Sequence, residues 1–413
     1  MVDINWKAQI SNQQLGKESN ISLVFTLIRY YGAITRAEIA HKTGLSPTTI
    51  SYLTEKLLAC GLVSETGNVE RVTVGRKPIL LRVNPDGGVI ASVEFLVDGF
   101  NCALYDLTIN EIIDRYVRLD DFAEIGITVA QTLENQLAKN QIPINRLLGI
   151  SIGIPGVIDY ATNKVIRSTV MPISTELPFI EPIRACFPNC LISVGNESGF
   201  CAYAEKVSGS YETVNHLIYL DINVGVGAGI IIDNRIFTGS SGIASEIGHT
   251  TININGIKCK CGNSGCLETL VSVPAIKGRI IAGLVNGRKS IMKDMVHGDL
   301  NGIDLPVLAK AYRQRDELAV EIVHETADFL AAGINNVINL FDPQIIVLGG
   351  PLRLLGDSFL ARIYTRVKGV SLNPGADLNL RYAMVNDQAV HLGGVHYALD
   401  HVIDFAHCME FIC

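Results

Sequence analysis

Charge is scarce in this 413-residue chain: 18% of residues are Asp, Glu, Lys or Arg, against 48% hydrophobic. That balance lets the chain bury a large core. No run of about 18 uncharged apolar residues occurs, so no segment reads as a membrane-spanning helix. The opening stretch, Met1 to Lys7, lacks the apolar segment of a signal peptide. The reading is therefore a cytoplasmic protein, with a length that suggests two or three domains. Ten cysteines are present. Seven of them (Cys60, Cys102, Cys186, Cys190, Cys201, Cys408 and Cys413) are scattered, mostly among apolar residues. In a reducing compartment these are expected to be buried thiols and not disulfides.

The other three fall in one run, Cys259-Lys260-Cys261-Gly262-Asn263-Ser264-Gly265-Cys266, with His249 ahead of it. One imidazole and three thiolates suit tetrahedral zinc, and the glycines let sulfurs close in sequence face one ion. The expected ligands of a single Zn2+ are His249, Cys259, Cys261 and Cys266. Glu246 and Glu268 bracket the run. A closed zinc site would not use them, so they are either surroundings of a structural staple or free for another task.

The net charge of −7 is unevenly spread. Residues 1–82 hold 10 Lys/Arg and 6 Asp/Glu, a net +4, which leaves −11 for the remainder. A basic start on an acidic body points to a polyanion met by the first segment alone. Val24, Leu27, Ile28 and Tyr31 recur at helical spacing up to Gly32. Thr35-Arg36-Ala37-Glu38 reads as a capping box that opens a second helix, ended by Gly44. Ser46-Pro47 opens a third, with Ile50, Leu53 and Leu57 facing inward and Gly61 closing it. Residues 71–81 read as a two-stranded wing tipped by Gly75-Arg76-Lys77, where an Arg could enter an A·T-rich minor groove. Residues 1–84 are thus expected to form a winged helix-turn-helix. The candidate DNA-contacting residues are Arg36, Ser46, Thr48, Thr49, Ser51, Tyr52, Lys56, Arg76 and Lys77. The plainer alternative is a protein-interaction module with a solvated basic hairpin.

From residue 85 onward, strand and helix signals alternate. Val89–Val93 and Cys102–Leu107 read as a strand and its return. Leu147–Ile154 is a buried strand ending in Pro155-Gly156, and Leu191–Val194 leads through Asn196-Glu197 into a helix. The pattern restarts at Leu217–Asp221, with a glycine-rich turn from Asn223 to Gly229. Residues 305–340 are strongly helical, and Ile345–Leu348 runs into Gly349-Gly350. Residues 284–304 read as a polar, mobile insertion. Two successive α/β units imply two lobes, about 85–206 and about 207–413, with a ligand cleft between them.

Gly153-Ile154-Pro155-Gly156, the Asn223–Gly229 turn, Glu246-Ile247-Gly248-His249, the cysteine run with Glu268, and Gly349-Gly350 together resemble the ROK family of repressors, open reading frames and sugar kinases. The likeness spans roughly residues 15–400, including Gly75-Arg76-Lys77-Pro78. It implies an α/β, bilobed, actin-like and hexokinase-like ATPase fold behind the winged helix. It also places the chain beside the Mlc-type glucose, N-acetylglucosamine and xylose repressors. The Met171-Pro172 pair is more like the first two. By resemblance, Asn196, Glu197, Glu246, His249 and Glu268 line a sugar pocket, with Glu197 at the position of the kinase base.

The family's kinases carry a D-x-G-x-T phosphate turn where this chain has Glu94-Phe95-Leu96-Val97-Asp98. Leu96 removes the close backbone approach that a phosphate needs, and Asp98 adds negative charge. Both oppose ATP, so no catalytic residue is expected. The resulting expectation is a homodimeric or homotetrameric repressor of sugar uptake and catabolism genes. It would bind double-stranded operator DNA and be released by a sugar, a sugar phosphate or a phosphotransferase-system protein. The alternative is a glucokinase-like, ATP-dependent sugar kinase with an accessory DNA-binding head.

Overall fold

The computed structural model describes residues 15–68, 79–168, 171, 179–209, 211, 213–370, 372, 378–385 and 388–412. Helix α1 (Leu15–Tyr31) ends at Gly32, whose φ of 66° is a left-handed stop that a side chain would resist. Strand β1 (Ile34–Thr35) leads into α2 (Arg36–Thr43). The capping box forms here: the Thr35 hydroxyl accepts from Glu38 N–H, and Glu38 Oε2 accepts from Thr35 N–H at 2.9 Å. Helix α3 (Pro47–Ala59) starts under Ser46, whose hydroxyl accepts from Thr49 N–H at 3.1 Å. Ile50, Leu53 and Leu57 are buried, as their spacing requires. Strands β2 (Val63–Asn68) and β3 (Ile79–Val83) pair antiparallel, and β1 joins the other edge of β3. The wing tip with Arg76 and Lys77 lies outside the described residues, as does Pro172 of the Met171-Pro172 pair.

Two five-stranded sheets follow, and both are built in the same order. In the first, β4 (Val89–Leu96), β5 (Gly99–Asp106) and β6 (Glu111–Arg118) form an antiparallel meander. Helix α4 (Ile125–Lys139) precedes β7 (Leu147–Ile154), which lies parallel to β4. A small hairpin, β8 (Val157–Asp159) with β9 (Lys164–Arg167), and α5 (Ile180–Cys186) come next. Strand β10 (Leu191–Asn196) then pairs parallel with β7. Helix α6 (Glu197–Ser208) follows at once, capped by the Asn196 side chain. Every residue from Ser198 to Lys206 is buried, because α6 is sandwiched between elements of both units.

The second sheet repeats the plan. Strands β11 (Leu217–Ile222), β12 (Val226–Ile232) and β13 (Arg235–Ile236) form the meander. Helices α7 (Glu268–Val271), α8 (Val273–Val285), α9 (Ile291–Met295), α10 (Leu305–Arg313) and α11 (Glu317–Phe341) build its helical layer. Strand β14 (Ile345–Gly349) is parallel to β11. After α12 (Asp357–Val370), β15 (Leu380–Tyr382) closes the edge, parallel to β14.

Two expectations are corrected by the packing. Residues 284–304 are ordered, not a mobile insertion: Met292 and Ile303 are fully buried in the second core, and Asp316 accepts from Ser290 Oγ and Ile291 N–H at 2.9 Å each. Apolar side chains at 291, 292, 295, 296 and 303 outweigh the polar residues between them. The C-terminal segment reaches beyond the second sheet, although Ala389 and Val390 still pack in one cluster with its strands. Helix α13 (Ala389–Tyr397) packs on α6, β4 and β7, and α14 (Phe405–Ile412) packs on α1. One apolar cluster therefore joins Phe25, Leu27 and Ile28 of α1 to Val395, Ala398 and Phe405. Among the scattered cysteines, Cys102, Cys186, Cys190, Cys201 and Cys408 are free thiols, whereas Cys60 is disulfide-bonded.

Candidate ligand cleft and metal centre

The metal cluster forms as a set. His249 ends a short turn whose Ile247 and Gly248 are buried, and Gly262 (φ 101°) and Gly265 (φ 67°) bend the cysteine run back towards it. A Cβ on Gly265 would lie 1.6 Å from the Asn253 carbonyl oxygen, so only glycine permits this return. The donor atoms of His249, Cys259, Cys261 and Cys266 all lie within 4.8 Å of one another. Cys261 and Cys266 sulfurs are 3.7 Å apart, and Cys259 Sγ lies 3.7 Å from His249 Nδ1. Donors at zinc-bond lengths in a tetrahedron are about 3.8 Å apart for two sulfurs and about 3.6 Å for sulfur and nitrogen. The cluster therefore fits a tetrahedral metal ion. The other ring nitrogen, Nε2, faces Glu246 at 3.9 Å. Glu268 Oε2 accepts from Val226 N–H at 3.2 Å, which ties the run to the start of β12.

The residues expected to line one sugar pocket come from several elements. Glu246, His249 and Glu268 gather at the metal cluster. Asn196 and Glu197 sit at the end of β10, beside two carboxylates that the sequence reading did not assign to the site: Glu94, near the end of β4, and Asp221, near the end of β11. Asn196 is committed locally, its Oδ1 accepting from Ser198 N–H at 2.9 Å and its Nδ2 donating to the Gly156 carbonyl at 3.0 Å. Glu197 has its carboxyl pushed up to about 8, first by burial and then by Asp221 and Glu94. Burial raises Glu94 to about 7 and Asp221 to about 6. The arrangement holds protons that ordinary carboxyls would release, and offers both donors and acceptors to a polyhydroxy ligand.

Glu94 also faces His391 of α13, whose Nε2 lies 3.7 Å from Glu94 Oε2 and whose Nδ1 lies 2.9 Å from the Ser92 hydroxyl. Burial lowers the His391 pKa and raises that of Glu94, so it disfavours the charged form of each. No sequence signal marked His391; it is one more histidine in an apolar helix until the fold brings α13 across β4.

The glycine-rich turn after β11 has a packing role. A Cβ on Gly229 would lie 1.9 Å from the Ser198 carbonyl oxygen. Glycine there lets the first turn of α6, with Glu197 at its head, rest directly on β12.

On the winged-helix unit, Thr48, Tyr52 and Lys56 are exposed at helical spacing along α3, and Lys56 Nζ sits 4.9 Å over the Tyr52 ring. Thr49 and Ser51 are half-buried, and Ser46 is taken up as the cap. Arg36 does not present a free guanidinium: its Nε donates to Thr54 Oγ1 at 3.0 Å and its Nη2 pairs with Glu65 at 2.8 Å.

The ROK family model matches residues 91–400. The chain belongs to the ROK family. A model for winged helix-turn-helix DNA-binding matches residues 26–64 of this ROK protein. The xylose repressor of Caldicellulosiruptor bescii is 29% identical over 406 residues, covering 96% of this chain and 99% of the relative. The DNA-binding transcriptional dual regulator NagC of Escherichia coli is 29% identical over 351 residues, 84% of each chain. Among solved structures, a ROK family transcriptional regulator described as a homolog of the E. coli MLC protein superposes with a TM-score of 0.84 at 26% identity, covering 95% of this chain and 99% of that one. A ROK hexokinase from Thermus thermophilus covers 74% of this chain at a TM-score of 0.62 and 20% identity, and so shares the fold. Among the described residues, no helix is long and apolar enough to cross a membrane.

Proposed function

We propose that this ROK protein is a sequence-specific DNA-binding transcriptional repressor of sugar uptake or catabolism genes, released by a sugar-type inducer held in its cleft. The observation that carries this reading is the likeness to a named xylose repressor along 96% of the chain, winged helix included. The exposed Thr48–Tyr52–Lys56 face of α3 supports it as the surface that enters a major groove. Phosphates would be met by Lys56 and by Arg76 and Lys77 of the wing. Arg36 acts by holding α2 to α3 and β2. The protein works in the cytoplasm as a homodimer or homotetramer, so that two heads span two half-sites of the operator. A phosphotransferase-system protein is the alternative inducer.

His249, Cys259, Cys261 and Cys266 hold one Zn2+ per chain. A structural zinc supplies folding energy to the run that carries it. Its ligand His249 would then be held with Nε2 towards Glu246, at the edge of the inducer site formed with Glu268, Asn196 and Glu197.

Phosphoryl transfer is not expected. The end of β4 and the turn after it carry Leu96 and Asp98 where a phosphate needs backbone approach and no negative charge. Two measurements test the reading. Gel shift at low salt against a duplex pool should select a specific sequence, with affinity falling steeply as salt rises. A coupled ADP-release assay over a panel of hexoses and pentoses should give no turnover. Absence of specific DNA binding, or turnover comparable to a sugar kinase, would overturn it.

A further inference from the structure

We propose that α13 and the polar residues just after it form a relay that couples the cleft to the DNA-binding head, with Tyr203, Asp400 and Arg29 as its positioning residues. The inference rests on the repressor reading above. Arg29 belongs to α1, whose apolar face is part of the same core as α3. Its Nη2 pairs with Asp400, and its Nη1 lies 3.2 Å from His396 Nδ1. Asp400 in turn accepts from the Tyr203 hydroxyl at 2.9 Å, and that hydroxyl lies 3.0 Å from His401 Nε2. Both the Arg29 and Asp400 side chains are largely buried, at 14% and 16% exposure. Breaking one partner would therefore leave a poorly solvated charge. His396 is held neutral, with a pKa lowered to about 4 first by burial and then by Arg29, so its ring nitrogen is able to accept from the guanidinium.

Both ends of this network reach towards the buried carboxylates Glu94 and Glu197. Tyr203 is on α6, six residues from Glu197, about 9 Å along the helix axis. His396 is on α13, five residues from His391, which faces Glu94 and Ser92 of β4. Two helices thus run from the cleft carboxylates to one arginine of the head. Where they meet, the chain leaves α-helical geometry: Ala398–Val402 is a π-helical turn that carries both Asp400 and His401. Such wide turns are locally weaker than α-helix and often sit at functional positions. A change in how the cleft holds Glu94 or Glu197 would shift α13 or α6, and the pairing at Asp400 passes that shift to α1.

The test is hydrogen exchange on the full-length protein, which requires neither operator nor inducer. Glu94→Ala, at the cleft end, should change exchange in α1 (residues 20–31) by about twofold to thirtyfold, the range expected for residues along a coupling network. The change should collapse when Tyr203→Phe and Asp400→Asn are also present. Exchange in α11, Glu317–Phe341, should stay constant throughout, which separates coupling from general loosening. Ser92→Ala serves as a second cleft variant if Glu94→Ala does not fold. An α1 response below twofold, or one that survives intact in the combined variant, overturns the relay. If operator release by a sugar proceeds equally in wild type and Tyr203→Phe/Asp400→Asn, the relay also fails while the repressor reading stands. If exchange coupling holds but no specific DNA is bound, the repressor reading fails and the relay stands.

Discussion

The two sheets share a plan, a three-stranded antiparallel meander with two further strands parallel to its first, yet their first hairpins differ. In the first sheet, β4 turns tightly through Val97-Asp98 into β5, and Glu94 is buried against His391. In the second, β11 turns through Asn223–Gly225, and the glycines of β12 bring α6 onto the strand. The second unit also carries the metal cluster, tied to β12 through Glu268. Topology alone therefore does not set what a cleft binds. The same strand order sets Glu94 against His391 on one side and brings α6 and the His/Cys cluster onto β12 on the other.

The largest expected effect would break this asymmetry at the metal. Cys261→Ser removes one of the four ligands, a thiolate, so zinc content measured by mass spectrometry should fall from stoichiometric to near zero. The exchange of residues 249–268 should rise, whereas residues 89–106 of the first hairpin should not respond. Full repression and induction without the metal would rule out its positioning role.

Next in size is the hairpin comparison itself. Gly229→Ala forces a Cβ against the Ser198 carbonyl and should destabilise the protein by about 3 kcal/mol in denaturant unfolding. Leu96→Ala, at the half-exposed end of β4 in the first hairpin, should cost only about 1 kcal/mol. Equal costs would mean that the two turns are equivalent after all.

The carboxylates sharpen the comparison through pH. Glu94, Glu197 and Asp221 have folded pKa values of about 7, 8 and 6, above the unfolded carboxyl range. A group raised on folding contributes stability that is complete below its unfolded pKa and is lost as pH rises through its folded value. Thermal stability should therefore decline between about pH 5 and 8, and Glu197→Gln should flatten the upper part of that decline. A wild-type profile that is level or rising over this interval would contradict the burial of these groups.

The smallest effect concerns the head. Thr35→Ala removes the α2 cap and should cost about 1 kcal/mol. Lys56→Ala should weaken binding across DNA sequences and lower the salt slope by about one.

Much of this was readable locally. The capping box at Thr35–Glu38, the Ser46-Pro47 start and the glycine stops at 32, 44 and 61 are short-range chemistry, and the structure forms each of them. The buried strands at 147–154, 217–222 and 345–349 announced themselves as apolar runs. The metal cluster was legible because three of its ligands lie within eight residues. The polar reading of 284–304 failed because the apolar residues there are sparse, and only the neighbouring helices show that they are buried. Arg36 was expected among the DNA-contacting residues, and only the fold shows that Thr54 and Glu65 lie beside it.

By itself, the sequence determined the elements whose causes are local: caps, stops, strand cores and the cysteine run. The tertiary structure decided what depends on residues far apart in the chain. It brought Glu94, Glu197 and Asp221 together from three strand ends, set His391 against β4, and returned the C-terminal helices to α1. Those contacts span up to 383 residues. No local periodicity encodes them, because they follow from how two sheets and one shared pair of helices can bury their apolar faces at once.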